Sequence, residues 1–159
     1  MAKDLLAKPD GNGLRVAIAV ARFNEMVTDR LLEGARATLL QAGVADQDIT
    51  IARVPGALEL PQACNWLSQS GQFDAVVALG AVIRGGTDHY DHVCRAAIEG
   101  VLQVNLSGQV PVSCGVLTCA EQEQALARAG GQAGNKGSDA ALAALEMAGL
   151  SRLVPRERP

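Results

Sequence analysis

Along this 159-residue chain the apolar positions switch repeatedly between near-continuous runs and spacings of three and four. Residues 14–20 form a short run rich in β-branched side chains and predict a strand. Over 28–43, Leu31, Leu32, Ala35, Leu39 and Ala42 recur at helical spacing. Thr28 is placed to cap the start of that helix and Gly43 to end it in the left-handed conformation. The alternation continues with a strand at 49–54, a helix at 57–68, a strand at 75–81, a long helix at 89–106 and a fourth strand at 110–117. Thr118 and Glu121 stand at capping-box spacing and predict a fourth helix; after a glycine-rich break at 130–137, a last helix is expected over 138–147.

Apolar strands such as 76–82 suit a sheet covered by helices on both faces, and a helix between successive strands imposes parallel crossovers. The order therefore predicts a three-layer α/β/α sandwich with a four-stranded parallel sheet, flavodoxin-like in architecture. In open parallel sheets ligands bind beyond the carboxyl ends of the strands. The segments that matter for chemistry are then 21–24, 55–59, 83–92 and the residues after Leu117. The chain divides into a polar N-terminal tail (1–13), one domain (14–150) and a charged, proline-containing C-terminal tail (151–159). Such a sheet leaves exposed edges, one of which an N-terminal segment reaching a neighbouring subunit can cover, so the architecture is compatible with a homo-oligomer.

Composition narrows the function. Hydrophobic residues make up 48% of the chain, enough for one packed core. The net charge is −3 and the 14 Lys and Arg are dispersed, which argues against a nucleic-acid partner. Cys64, Cys94, Cys114 and Cys119 form no Cys-x-x-Cys pair, as expected of free thiols in the cytoplasm. Charges interrupt the first apolar residues, so neither a signal peptide nor a membrane span is expected.

The chemistry concentrates in 80–94, where both histidines follow the glycine turn Gly85-Gly86-Thr87. A strand-to-helix junction without side chains presents main-chain N–H groups at the positive end of a helix dipole, which suits a phosphate monoester. The same residues also fit a plain turn with Thr87 as N-cap. His89, on the first helical turn, suits proton transfer near neutrality. His92 and Cys94 do not complete a metal-ligand set with it, and no metal is expected. Arg84 fits either an ion pair or a ligand contact. Arg128 fits either a helix C-cap or a phosphate ligand, and Lys136 either a solvated charge or a ligand. Phe23, after the first strand, is placed to stack on a planar ring or to join the core. Pro55-Gly56-Ala57-Leu58-Glu59 follows the second strand; its helix-start N–H groups suit a heterocycle's carbonyls, and Glu59 either accepts from polyol hydroxyls or complements the helix end.

Four segments, Arg22-Phe23-Asn24-Glu25, Val54-Pro55-Gly56-Ala57-Leu58-Glu59-Leu60-Pro61, the run from Leu79 to Tyr90, and Ala129-Gly130-Gly131-Gln132-Ala133-Gly134-Asn135-Lys136-Gly137, together resemble the lumazine synthase family over residues 14 to 150. The resemblance implies condensation of 5-amino-6-(D-ribitylamino)uracil with 3,4-dihydroxy-2-butanone 4-phosphate to 6,7-dimethyl-8-ribityllumazine, without a cofactor. By position it implies Phe23 against the pyrimidine, and Ala57, Leu58, Glu59, Ala81, Val82 and Ile83 around the pyrimidine and ribityl chain. Gly86, Thr87 and Arg128 would hold the phosphate, and His89 would transfer protons. It also implies pentamers, some closing into icosahedral capsids that can enclose riboflavin synthase, with Arg128 supplied by the adjacent subunit. Leu58 and Cys114 stand where relatives often carry aromatics, which implies a roomier pyrimidine pocket.

Overall fold

The computed structural model describes residues 1–157. Four strands, β1 (Val16–Ala21), β2 (Ile49–Val54), β3 (Ala75–Ile83) and β4 (Val112–Cys119), form one parallel sheet in the order β2-β1-β3-β4. On one face lie α1 (Glu25–Gln41) and α5 (Lys136–Leu153), and on the other α2 (Leu60–Gln69) and α3 (His89–Ser107). The expected three-layer sandwich is therefore observed, and the two inner strands are buried almost throughout because helices cover both of their faces.

The two faces of β1 are filled differently. Val16, Ile18 and Val20 enter the cluster with Leu31, Leu39 and Leu145, whereas Ala17, Ala19 and Ala21 enter the cluster with Leu60, Cys64 and Val101. Small side chains on the second face leave room for the helices that flank the site. Full burial of a leucine such as Leu60 contributes about 1.5–3 kcal/mol.

Several boundaries differ from expectation. The first helix starts at Glu25, three residues before Thr28. Asn24 occupies its N-cap in the left-handed conformation (φ 62°), while Thr28 is buried with its hydroxyl unbonded. Gly43 does take the left-handed conformation expected of a helix stop, at φ 101°. Residues 57–59 form a 3-10 turn leading into α2 rather than its first turn. Strand β4 runs on to Cys119, so Thr118 cannot cap a helix; α4 (Gln122–Ala127) starts later, where Gln124 Oε1 accepts from the N–H groups of Ala120 (2.9 Å) and Glu121 (3.2 Å). The glycine-rich break contains an antiparallel ribbon, β5 (Ala129–Gly131) with β6 (Gly134–Asn135), which the apolar pattern does not announce.

Helix α5 is longer at both ends than 138–147. The Asn135 side chain accepts from the N–H groups of Gly137 and Ser138 and sets the start. At the far end the helix continues to Leu153, so the first residues of the 151–159 tail are helical, and residues 158–159 lie outside the described residues. In the N-terminal tail, Gly11 donates to the Ala42 carbonyl over 2.8 Å, and Ala7 lies where a Cβ on Gly149 would come within 3.1 Å of it. No helix of the described residues is long and apolar enough to cross a membrane.

Candidate active site

The carboxyl ends of β1, β2 and β3 open into a cavity of about 350 Å³. Its walls are three strand exits tied together by hydrogen bonds. As β1 ends, the Arg22 N–H donates to the Val54 carbonyl over 2.8 Å and the Phe23 N–H to the Pro55 carbonyl over 3.0 Å, which straps the exit of β1 to that of β2. The next residue turns left-handed, and its Nδ2 donates to the Ala81 carbonyl over 2.7 Å, which ties the same exit to β3.

Within this frame Phe23 is 72% exposed, so it is not a core residue but a ring held at the rim of the cavity. Ala57 is buried, whereas Leu58 and Glu59 are exposed along the same wall. The Glu59 carboxylate accepts from the Gly56 N–H over 3.0 Å, so its helix-end role is realised while the residue still faces the cavity. Ala81, Val82 and Ile83 form the opposite wall as β3 runs out.

The third side is the junction of β3 with α3. Gly85 and Gly86 have no left-handed φ, and a Cβ at either would meet nothing within 4 Å. The chain's own packing therefore gives no reason for two glycines there, and the space above the backbone is open. Thr87 does serve the helix as well, its Oγ1 accepting from the His89 N–H over 3.4 Å. His89, exposed and first in α3, lines the same cavity as Phe23 and Thr87.

The Arg84 guanidinium lies 4.5 Å from the centroid of the Tyr90 ring and 3.5 Å from the Asp91 carboxylate, the ion-pair alternative of the sequence. Loss of hydration, the larger effect, together with the neighbouring Cys94 raises the Tyr90 phenol above its ordinary value; burial likewise raises the Cys94 thiol. Both shifts hold these two groups in their neutral forms near pH 7. Among the described residues no group of three or more His, Cys, Asp or Glu is placed to hold a metal ion.

Arg128, Lys136 and Cys114 lie elsewhere in the chain. Arg128 lines a second cavity of about 460 Å³ at the end of β4, with Thr118, Gln124, Lys136 and Asp139. There its Nη1 donates to the Gln124 carbonyl over 3.0 Å, closing its own helix. Cys114 is half-buried on β4, in an apolar groove with Ile98, Leu102 and Met147 beside the open edge of the sheet. The other pyrimidine, ribityl and proton-transfer candidates and Thr87 line the first cavity, with Gly86 between its lining residues Gly85 and Thr87, whereas Arg84 and His92 are not in its lining. Sequence reasoning did not single out Asn24, Tyr90 and Val93, which also line it. Val93 had a usable signal, since it stands four positions after His89 and so shares its helix face.

The chain is similar to known proteins over most of its length. The model of the family described as 6,7-dimethyl-8-ribityllumazine synthase matches residues 13–152. A protein named 6,7-dimethyl-8-ribityllumazine synthase from Pediococcus pentosaceus is 51% identical over 148 residues, covering 93% of this chain and 95% of that protein.

Proposed function

Because the chain belongs to the 6,7-dimethyl-8-ribityllumazine synthase family, we propose that its cavity holds two substrates side by side, a flat pyrimidine over the strand exits and a phosphate ester at the glycine loop. The reaction is the penultimate step of riboflavin biosynthesis: 5-amino-6-(D-ribitylamino)uracil condenses with 3,4-dihydroxy-2-butanone 4-phosphate to give 6,7-dimethyl-8-ribityllumazine, phosphate and water. The observation that carries the site assignment is the convergence of Phe23, the Ala81–Ile83 wall, the unfilled space over Gly85 and Gly86, and His89 in one cavity.

Phe23 stacks on the pyrimidine, and the main chain of Ala57, Leu58, Ala81, Val82 and Ile83 meets its polar edge and the ribityl chain, with Glu59 accepting from hydroxyls. Gly86, Thr87 and the first-turn N–H groups of α3 hold the phosphate. The substrate's primary amine attacks the ketone, and water leaves to form an imine. Loss of phosphate then generates an enol; after tautomerisation the ribityl-bearing nitrogen attacks the second carbonyl, and a further water leaves as the ring closes. His89 relays protons in these steps for about 10²-fold. Most of the acceleration comes from holding two reactants in register, worth up to ~7–11 kcal/mol.

Among the described residues no Lys or Arg lines the first cavity, and Arg128 lines the second. A neighbouring copy supplies the cation for the phosphate. The apolar groove at the β4 edge, with Ile98, Leu102 and Met147 exposed and Cys114 in its lining, supports such a contact. The ring so formed is a homopentamer, able to pack further into an icosahedral shell around riboflavin synthase. The free state of all four cysteines supports a cytoplasmic site of action. Incubating the purified protein with both substrates tests the reaction: lumazine fluorescence and phosphate rise together at one to one, and no product with either order of addition contradicts the assignment.

A further inference from the structure

We propose that Asn24 is a positioning residue for the pyrimidine half of the cavity, acting through the Ala81 carbonyl; the inference rests on the reaction assigned above. Three features meet in this side chain. It is the one non-glycine residue with positive φ, at 62°, among the described residues. Its Nδ2 makes a part-buried 2.7 Å hydrogen bond to a carbonyl 57 residues away along the chain. It also lines the cavity beside Phe23. Asparagine adopts the left-handed region more readily than most non-glycine residues, so the turn is made without removing the side-chain amide that bridges to β3.

The sheet register explains what the bond replaces. Pairing between β1 and β3 runs from Val16 and Ala75 to Val20 and Leu79, so the Ala81 carbonyl lies beyond the last paired position on that side. The main chain of β1 has turned away, and the Asn24 amide occupies the place it left. Through the adjacent Phe23 N–H, which donates to the Pro55 carbonyl, the same turn is bound to β2. One residue thereby fixes the gap between the Phe23 ring and the Ala81–Ile83 wall, the slot that a planar ring enters. The loop from Gly85 to Thr87 lies past the end of β3 and receives no bond from Asn24. A loosened slot therefore costs pyrimidine binding and spares phosphate binding, since productive contacts need groups held within roughly 0.5 Å.

Two variants separate the amide from the turn. Asn24→Gly keeps the left-handed backbone and removes the donor, and Asn24→Asp keeps the size and the tolerance for positive φ but sets a carboxylate oxygen against the Ala81 carbonyl. With wild-type turnover established first, both variants are expected to fold, to raise KM for 5-amino-6-(D-ribitylamino)uracil about tenfold or more, and to leave KM for the butanone phosphate within about twofold. The Asp variant is the worse of the two. Unmoved KM values, equal rises in both KM values, or failure of both variants to fold overturn the positioning role. Absence of product from the wild-type protein instead removes the reaction assignment itself.

Discussion

Replacing Phe23 by alanine separates binding from folding, because the ring is held at the rim of the cavity yet is 72% exposed. A fully buried aromatic covers about 150–250 Å²; with roughly a quarter of that hidden here, truncation removes on the order of 50 Å² of burial and costs the fold about 1 kcal/mol. For a domain of this size that lowers Tm by only a few degrees. Stacking of a base on an aromatic side chain is worth about 1–3 kcal/mol, so KM for the pyrimidine substrate should rise by roughly 5- to 150-fold. The butanone phosphate, which does not touch the ring, should keep its KM. Steady-state kinetics with each substrate varied in turn, followed by phosphate release, and a thermal melt of the same preparation give both readings. A pyrimidine KM within twofold of wild type, in a protein that melts normally, refutes the stacking assignment.

His89→Ala should lower kcat about 10²-fold and leave measurable turnover, because positioning survives the loss of the imidazole; complete loss of activity with intact substrate binding contradicts that division. Arg128→Ala should raise KM for the butanone phosphate by roughly 10- to 100-fold, the worth of a charge-assisted bond, while an exposed helix end loses under ~1 kcal/mol. An unchanged KM refutes its role. Burial, the larger cause, pushes the Cys64 thiol from 9.0 to about 12, so the folded state resists forming the thiolate that the unfolded chain forms near 9.0. This contribution is complete below pH 9.0 and is lost as pH climbs toward about 12, by about 1.4 kcal/mol per unit. Urea midpoints at pH 8 to 10.5 should fall less steeply in Cys64→Ala than in wild type, and parallel slopes contradict it.

The sheet and its flanking helices were legible because β1 and β3 read as unbroken apolar runs and α1 carries Leu31, Leu32, Ala35 and Leu39 on one stripe. The chain's ends of elements were less so. Thr28 looks like a cap by residue type, but its place on the buried stripe next to Val27 puts it inside α1, and the turn is made instead by an asparagine able to adopt positive φ. The ribbon of β5 and β6 has no apolar period to read, since it is held by main-chain pairing among glycines. Most of the candidate site was legible as well, because open parallel sheets place it after each strand, and the cavity lies there. What one chain does not bring together is Arg128 and Cys114 with His89. Their separation follows from β4 being an edge strand, with the first cavity built on the other three.

Mixed assemblies probe that sharing of the site directly. Copies carrying His89→Ala are co-expressed with copies carrying Arg128→Ala, each with its own tag, and oligomers containing both are isolated and assayed at low butanone phosphate. If each cavity draws its imidazole and guanidinium from different subunits of a ring, about a quarter of the sites in an even mixture carry both groups, and activity returns to about a quarter of wild type. Activity no higher than the mean of the two parent variants contradicts a site built across the subunit boundary.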